Sequence, residues 1–465
     1  MSREACASRS SLRRASLLFA VPWLLAQGAC ASHSGAAPHP AESHPMPQTA
    51  PTVEEDIEAK TRGLLAAAAA GDFDRASRDF GDVMKQALPP ARYAETWRAL
   101  DAKVGKLQSV DGVQLEQERG LWVSLADARF ERDRLLVKVV YDARHQVVGL
   151  FFLPPRVPWS APSYASPQAF EEKPVTVGVD PALAGVLTRP RGAGPFPGVV
   201  LVHGSGPSDA DESVGAIKVF KDLAWGLASR GIAVLRYTKR TLQSPAGVVT
   251  QKEEVLDAAR DAVALLRRTD GIRLDRVFVL GHSQGGGLAP RIAEASPGLA
   301  GIVVLAGPTR PLEDLLVEQY AYLASLDQGD AVLAAKIEEA RRFKRVVEDP
   351  RLRPDQELTL PTGSHLTGAY FLDVRGYDPA AVARTLPCRI LVLQGERDYQ
   401  VTSKDFERWK TVLAGKDGAA VRAYPSLNHL FVSGSGAPSP EEYEHAGHVD
   451  EAVVSDIAAW LLGGT

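Results

Sequence analysis

The chain has 465 residues, which is long enough for two or three domains. Its 45% hydrophobic and 24% charged residues are ordinary for a soluble globular protein, and the net charge of −4 gives no electrostatic basis for a nucleic-acid partner. The cysteines are Cys6, Cys30 and Cys388, and their small number and scattered positions argue against a disulfide framework.

Residues 1–31 are predicted to be an export segment. Basic residues precede a short apolar core over residues 17–26, and this core is too short to span a bilayer. The tripeptide that ends at Cys30 resembles a bacterial lipoprotein processing site, although Gln27 occupies a position where leucine is usual. Lipidation of Cys30 would tether the protein to a membrane, whereas in the alternative Cys30 is removed with the signal peptide. We therefore expect an exported protein that is periplasmic or a membrane-anchored lipoprotein.

Residues 32–52 are rich in proline and are predicted to be a solvated linker, with its histidines exposed and not metal ligands. Residues 53–155 form a separate unit in which helical patterns come first and strand-like runs follow. The predicted helices are Val53–Ala70, Phe73–Phe80 and Ala91–Leu100, and the predicted strands are Val104–Gln114, Leu121–Phe130, Leu135–Tyr141 and Val147–Leu153. This order predicts a small α+β domain. It is similar to a domain of unknown role that precedes some bacterial exported hydrolases.

Residues 156–174 are predicted to be a proline-rich connector, and residues 175–465 an α/β domain. Buried strand-like runs occur at residues 185–188, 198–203, 231–237, 276–280, 302–306 and 390–394. Helical patterns lie between them, for example at residues 222–230 and 255–268. Apolar strands that alternate with helices predict a mostly parallel sheet with helices on both faces.

Residues 308–386 interrupt this alternation and are predicted to be a helical lid. The predicted helices of this insertion are Leu312–Leu326 and Val332–Val347. An insertion between two sheet strands, on the side where the active site opens, is placed to shape an acyl pocket and exclude water. Four aromatic residues of the lid are candidate pocket walls or plain packing residues: Tyr320, Tyr322, Tyr370 and Phe371.

The run RVFVLGHSQGGG at residues 276–287 carries the strongest functional signal. A buried strand ends in G-H-S-Q-G, which fits the G-x-S-x-G nucleophile elbow, and a helical pattern follows. On such a turn Ser283 adopts a strained backbone conformation and projects from the sheet, while the flanking glycines avoid collisions. We predict that Ser283 is a catalytic nucleophile; the alternative is a tight strand–helix turn with no chemistry.

A serine nucleophile needs a histidine base, which in turn needs a carboxylate to hold one tautomer. After a nucleophile elbow the acid comes first in the chain and the histidine second. Asp398 follows a buried strand and is the predicted acid, with Glu396 as the alternative. His429 is the predicted base, with His445 and His448 as competitors. The alternative roles are a helix cap for the acid and a buried structural residue for the histidine.

The backbone N–H groups of Ser205 and Gln284 are predicted to form an oxyanion hole, with Gly206 as an alternative donor. Ser205 lies in the loop H-G-S-G after a buried strand, and Gln284 directly follows the nucleophile. His203 begins this loop and is predicted to orient it, unless it is a simple core histidine.

Together these residues and motifs resemble the α/β-hydrolase superfamily over residues 175–465. The runs RYTKR, QGERDYQV and LNHLF are similar, more narrowly, to a group of bacterial carboxylesterases with dipeptidyl-aminopeptidase-like relatives. Asp211-Glu212 is also similar to that group, although residues 209–212 read DADE where the group more often has a basic residue inside the run. The resemblance implies that the partner is a small-molecule ester with a short or medium acyl group. It also implies an acyl-enzyme intermediate and no cofactor or metal.

Two other functions stay open at this point. A serine peptidase or acylaminoacyl peptidase would use the same triad, because triad residues do not separate ester from amide chemistry. A non-catalytic envelope binding protein would use the same fold as a scaffold.

Overall fold

The computed structural model describes residues 52–118, 121–153, 155, 158–326 and 331–463. The chain divides into two compact units, residues 1–156 and 157–465. The export segment with Cys30, and all but the last residue of the predicted linker, lie outside the described residues. Within the described part of the chain, no helix combines the length and the apolar character needed to cross a membrane.

The first unit is a helical layer on an antiparallel sheet. Its helices are α1 (Val53–Ala69), α2 (Phe73–Ala76), α3 (Asp82–Ala87) and α4 (Pro90–Val104), and its strands are β1 (Leu107–Glu118), β2 (Leu121–Phe130), β3 (Arg134–Tyr141) and β4 (Val147–Leu153). The four strands pair in sequence order. Thr52 and Glu55 form a capping box that starts α1. The core contains the buried aromatic residues Phe80, Tyr93, Trp97, Phe130 and Tyr141.

Two predictions for this unit are wrong in detail. The helix predicted at residues 73–80 ends after one turn, and a further short helix, α3, follows it. The strand predicted from Val104 begins only at Leu107, because α4 continues to Val104 and Gly105 then takes a positive φ of 83°.

The second unit is built on an eight-stranded sheet. Its strands are β5 (Phe170–Val177), β6 (Leu183–Pro190), β7 (Phe196–Val202), β10 (Ala233–Tyr237), β11 (Ile272–His282), β12 (Gly301–Leu305), β15 (Arg389–Gly395) and β16 (Ala419–Tyr424). Two small hairpins lie outside this sheet: β8 (Ser213–Val214) pairs with β9 (Ile217–Lys218), and β13 (Glu357–Thr359) pairs with β14 (His365–Thr367). The spatial order is β16-β15-β12-β11-β7-β10-β6-β5. Pairing is parallel from β10 to β16, and β6 pairs antiparallel with both of its neighbours.

Helices cover both faces of this sheet. The helices of this unit are α5 (Val219–Ala228), α6 (Arg240–Gln243), α7 (Asp257–Arg268), α8 (Gln284–Ala295), α9 (Leu312–Leu326), α10 (Ala331–Glu348), α11 (Gly368–Leu372), α12 (Pro379–Thr385), α13 (Ser403–Leu413) and α14 (Glu451–Leu462). Helices α7, α8, α12 and α13 pack into the core on one face of the sheet, and α5 and α14 into the core on the other. Successive residues of β11 enter different cores: Val277 and Val279 pack on one face, and Phe278 and Leu280 on the other. The predicted α/β fold with a mostly parallel sheet is confirmed.

The start of the α/β domain and the end of the lid differ from the prediction. β5 begins at Phe170, inside the segment that was predicted to be a connector. It contains a proline, which an edge strand can accommodate, and β5 is an edge strand of the sheet. The predicted lid has its own small core of residues such as Leu316, Phe343 and Phe371, but α12 at its end packs into the main core through Ala380 and Ala383.

Candidate active site

Ser283 lies on the turn between β11 and α8. Its backbone has φ 52° and ψ −118°, a conformation that is strained for any residue other than glycine. The Ser283 N–H donates to the Leu305 carbonyl over 2.9 Å, and the Ser283 carbonyl accepts from the Gly287 N–H over 3.0 Å. These bonds hold the turn, and the side chain is partly exposed.

The two glycines that flank Ser283 are required by close backbone approach. A Cβ at Gly281 would lie 2.0 Å from the Gly285 carbonyl oxygen, and a Cβ at Gly285 would lie 2.2 Å from the Val202 carbonyl oxygen. Both distances are far below van der Waals contact, so no side chain fits at either position. The G-x-S-x-G pattern is therefore a packing requirement of this turn.

Asp398 and His429 form a buried pair. His429 Nδ1 is 2.6 Å from Asp398 Oδ2. The other carboxylate oxygen of Asp398 accepts from the backbone N–H groups of Gln400 and Val401 over 2.7 and 2.9 Å, which fixes the rotamer of the acid. A carboxylate at Nδ1 favours the tautomer with its proton there, so that Nε2 is left to accept a proton.

The alternatives to this pair lie elsewhere. Glu396 and His445 are exposed. His448 Nδ1 is 3.1 Å from Asp222 Oδ1 in a separate cluster. The structure thus brings together Asp398 and His429, as predicted, and none of the competing residues.

His282, the residue before Ser283 in the chain, contacts His429. The rings of His282 and His429 have centroids 4.8 Å apart, and His282 Nε2 is 3.0 Å from the His429 carbonyl oxygen. Within the described part of the chain the Ser283 hydroxyl makes no hydrogen bond. The serine–histidine bond of a triad is therefore not formed here, and such bonds are often long in substrate-free enzymes.

The predicted oxyanion loop lies against the nucleophile. A Cβ at Gly204 would be 3.2 Å from the Ser283 Cβ, so the loop backbone touches the elbow. Ser205 is exposed next to this contact. Gln284 is the first residue of α8, where a backbone N–H has no acceptor within its own helix. His203 is buried with Nε2 3.0 Å from the Asp209 carbonyl oxygen, and burial lowers its pKa to about 4, so it is neutral near pH 7.

Two buried charged residues at this site were not predicted from the sequence. Glu212 Oε1 accepts from the Gly204 N–H over 2.7 Å, and Glu212 Oε2 is 3.1 Å from His282 Nδ1. Lys239 Nζ donates to the Gly204 carbonyl over 2.6 Å. Glu212 is the last residue of the DADE run, inside which the related group more often has a basic residue. Lys239 comes shortly after the carboxyl end of strand β10, and ligands bind at this edge of the sheet in α/β folds. This position is the sequence feature by which Lys239 could have been identified as a site residue.

Glu212 and His282 influence each other's titration. Burial by itself raises the pKa of the Glu212 carboxyl, but the adjacent His282 outweighs this effect and the net pKa is lowered. Burial by itself lowers the pKa of His282, and the Glu212 carboxylate reverses this, so the net pKa is raised. The pair links the oxyanion loop to the histidine that precedes the nucleophile.

The lid reaches the elbow through Tyr370. Its hydroxyl is 2.5 Å from Glu254 Oε2 and 2.7 Å from Gln284 Nε2. Burial raises the Tyr370 pKa well above its usual range, so the hydroxyl stays protonated. Tyr322 stacks on Tyr399, the residue after the predicted acid, with ring centroids 5.4 Å apart.

The other two aromatic candidates have a different environment. Phe371 and Tyr320 pack within the core of the lid itself. Among the described residues, no group of three or more side chains is arranged to hold a metal ion.

Residues 199–456, more than half of the chain, match the α/β hydrolase family. Esterase EstD of Thermotoga maritima is 38% identical over 394 residues, which cover 84% of this chain and 92% of that protein. This chain belongs to the α/β-hydrolase family. The family predicted from the elbow, acid and histidine motifs is thereby confirmed. Residues 65–150 match a second family, described as a protein of unknown function (DUF3887).

Solved structures of esterases show more distant similarity. A hyperthermophilic esterase from the archaeon Pyrobaculum calidifontis shares 17% identity at a TM-score of 0.41, over 63% of this chain and 85% of that chain. An esterase from Pyrococcus furiosus shares 16% identity at a TM-score of 0.41, over 67% of this chain and 96% of that chain.

Proposed function

We propose that this hydrolase is a serine carboxylesterase that acts on short or medium acyl esters. The observation that carries the proposal is the buried His429–Asp398 pair, 2.6 Å apart, in contact with His282, the residue that precedes the strained serine of the nucleophile elbow. The relationship to a protein named as an esterase supports ester over amide substrates.

In the proposed reaction, Ser283 Oγ attacks the ester carbonyl and its proton passes to His429 Nε2. The carbonyl oxygen becomes an oxyanion that accepts from the N–H groups of Ser205 and Gln284. The bond to the alcohol then breaks, and the protonated His429 returns the proton to the leaving oxygen. Water, deprotonated by His429, attacks the acyl-enzyme; the bond between the acyl carbon and Ser283 Oγ then breaks, His429 returns the proton to Ser283 Oγ, and the acid leaves. Asp398 stabilises the imidazolium throughout.

Ser283→Ala tests this proposal. We expect kcat for p-nitrophenyl acetate and butyrate to fall by about 10⁶-fold, by analogy with serine removal in another triad enzyme. The exposed Ser435→Ala serves as the matched control and should keep full activity. Full activity of Ser283→Ala would show that Ser283 is not the nucleophile.

Two further measurements address the alternative functions. Faster turnover of an aminoacyl-anilide than of an aryl ester would favour a peptidase. Absence of covalent labelling at Ser283 by a fluorophosphonate would favour a non-catalytic binding protein.

We also propose that the protein is exported and that Cys30 carries a lipid tether. The support is the basic start, the short apolar core and the small residues before Cys30.

A further inference from the structure

A buried lysine contacts both segments of the chain that form the proposed oxyanion hole. Lys239 is 2% exposed, and its ammonium nitrogen is 2.6 Å from the Gly204 carbonyl oxygen, 2.9 Å from Gln284 Oε1 and 2.9 Å from Glu254 Oε1. The Gly204 carbonyl oxygen and Gln284 Oε1 accept hydrogen bonds from the ammonium group, and the Glu254 carboxylate forms an ion pair with it. Burial of a charge is costly unless it is paired and hydrogen-bonded, and the Lys239 ammonium is both.

The Gly204 carbonyl belongs to the same peptide unit as the Ser205 N–H. The peptide bond is planar and conjugated, so a cation at the oxygen draws electron density away from the nitrogen. The Ser205 N–H thereby becomes a stronger donor, as hydrogen bonds in a chain polarise one another. The same contact also fixes the plane of the peptide, and with it the direction of the N–H.

The second proposed donor is held by the same ammonium. Gln284 supplies its backbone N–H to the oxyanion hole, while its side-chain oxygen accepts from Lys239. Its side-chain nitrogen is 2.7 Å from the Tyr370 hydroxyl and 3.3 Å from Glu254 Oε2. One cation is therefore in contact with both residues that carry the proposed donors.

The partners of Lys239 are themselves positioned by the fold. Glu254 is 4% exposed and lies in a π-helical turn, Lys252–Leu256, a feature that is frequent at functional sites. On the other side of the loop, Glu212 accepts from the Gly204 N–H. Buried charged groups thus hold both the N–H and the C=O of Gly204.

We propose that Lys239, paired with Glu254, is a positioning residue that orders and polarises the oxyanion hole. This inference rests on the proposed esterase function. Lys239 acts through the Gly204–Ser205 peptide and through Gln284 and does not touch the substrate. Loss of Lys239 should therefore lower the rate of the step in which negative charge develops on the substrate oxygen, and should leave binding of the substrate in its ground state unchanged.

Lys239→Met is the principal test. We expect kcat for p-nitrophenyl butyrate to fall by about 10²- to 10³-fold, the range for loss of one oxyanion donor, with KM nearly unchanged. A second readout is inhibition by an alkyl trifluoromethyl ketone. Its carbonyl carbon bonds to Ser283 Oγ, the serine proton passes to His429, and the former carbonyl oxygen becomes the oxyanion. We expect affinity for this ketone to fall by about the same factor as kcat/KM.

Arg236→Met is the matched control. Arg236 is an equally buried cation that begins the same RYTKR run, but it pairs with Asp211 and Glu172 and contacts neither Gly204 nor Gln284. A purely structural role for Lys239 predicts similar losses in both variants. Our proposal predicts the loss of kcat and of ketone affinity in Lys239→Met alone.

Lys239→Gln is a second variant for the case that Lys239→Met does not fold. It keeps a polar donor without the charge, and we expect a smaller fall in kcat, on the order of tenfold, with ketone affinity following it. Unchanged kcat and ketone affinity in a folded Lys239 variant would overturn the inference. So would a loss confined to KM. If Ser283→Ala is inactive while the Lys239 variants are normal, only this inference fails; if Ser283→Ala is active, the proposed function fails.

Discussion

At the scale of single residues, the site depends on charges that are buried beside the reacting groups. Glu212 contacts both the Gly204 N–H and His282, which in turn contacts the carbonyl oxygen of His429. A buried carboxylate is stable only with such partners. Glu212 therefore connects the oxyanion loop to the histidine loop, a role that its place in an acidic loop sequence does not reveal.

Glu212→Gln should change the pH dependence of stability. The folded pKa of Glu212 is lowered, so its contribution is present above the unfolded value near 4.3 and is lost as the pH falls through the folded pKa. The folded pKa of His282 is raised, so its contribution is present below about 6.5 and is lost as the pH rises through the folded pKa. Both contributions are present between about pH 5 and 6.5.

The measurement is the melting temperature of wild type and Glu212→Gln from pH 4.5 to 9. The difference between the two proteins should be largest between about pH 5 and 6.5 and should shrink as the solution becomes more alkaline. The exposed Glu396→Gln is the control and should follow the wild-type curve. A difference that stays constant over the whole range would contradict the coupling of Glu212 to His282.

At the scale of elements, the elbow helix α8 is tied to the segment that follows the lid helices. The Arg291 guanidinium donates to both carboxylate oxygens of Asp373, over 2.8 and 3.1 Å. The Tyr377 hydroxyl donates to the Gly287 carbonyl over 3.0 Å. The lid is therefore attached to α8, the helix that begins directly after the nucleophile, and these bonds fix the position of the lid relative to α8.

Asp373→Asn should loosen this attachment without disturbing the chemistry. Because the pair is partly exposed, its contribution is modest, and we expect kcat for p-nitrophenyl acetate to change by less than about threefold. Amide hydrogen exchange over residues 368–377 should become faster. Asp355→Asn removes an exposed pair with Arg353 and is the control, with exchange in that segment unchanged. Unaltered exchange in Asp373→Asn would show that other contacts hold the lid.

At the scale of the whole molecule, each of the two units has a core of its own. The core of residues 53–153 lies between helices and an antiparallel sheet, and the second unit has one core on each face of its sheet. The second unit contains every residue to which we assign a catalytic role.

The proposed tether makes a prediction at this scale. Wild type should be recovered in the membrane fraction with a lipid-modified N-terminus at Cys30, and Cys30→Ala should not be lipidated. Cys388→Ala is the control, because Cys388 lies before β15 in the hydrolase unit. A mature N-terminus beyond Cys30, found by mass spectrometry of wild type, would rule out the tether.

The sequence by itself determined the fold class, the strand–turn–helix around Ser283 and the chain order of Asp398 and His429. These features depend on local patterns: buried apolar runs, glycines that avoid backbone collisions, and polar residues just after strands. The burial of Lys239, Glu254 and Glu212 and the identity of their partners became visible only in the tertiary structure. The sequence does not show which charged residues are buried, and the partners of these three lie between 8 and 116 positions away along the chain. The end of the lid was likewise decided by packing, because α12 buries alanines against the main core.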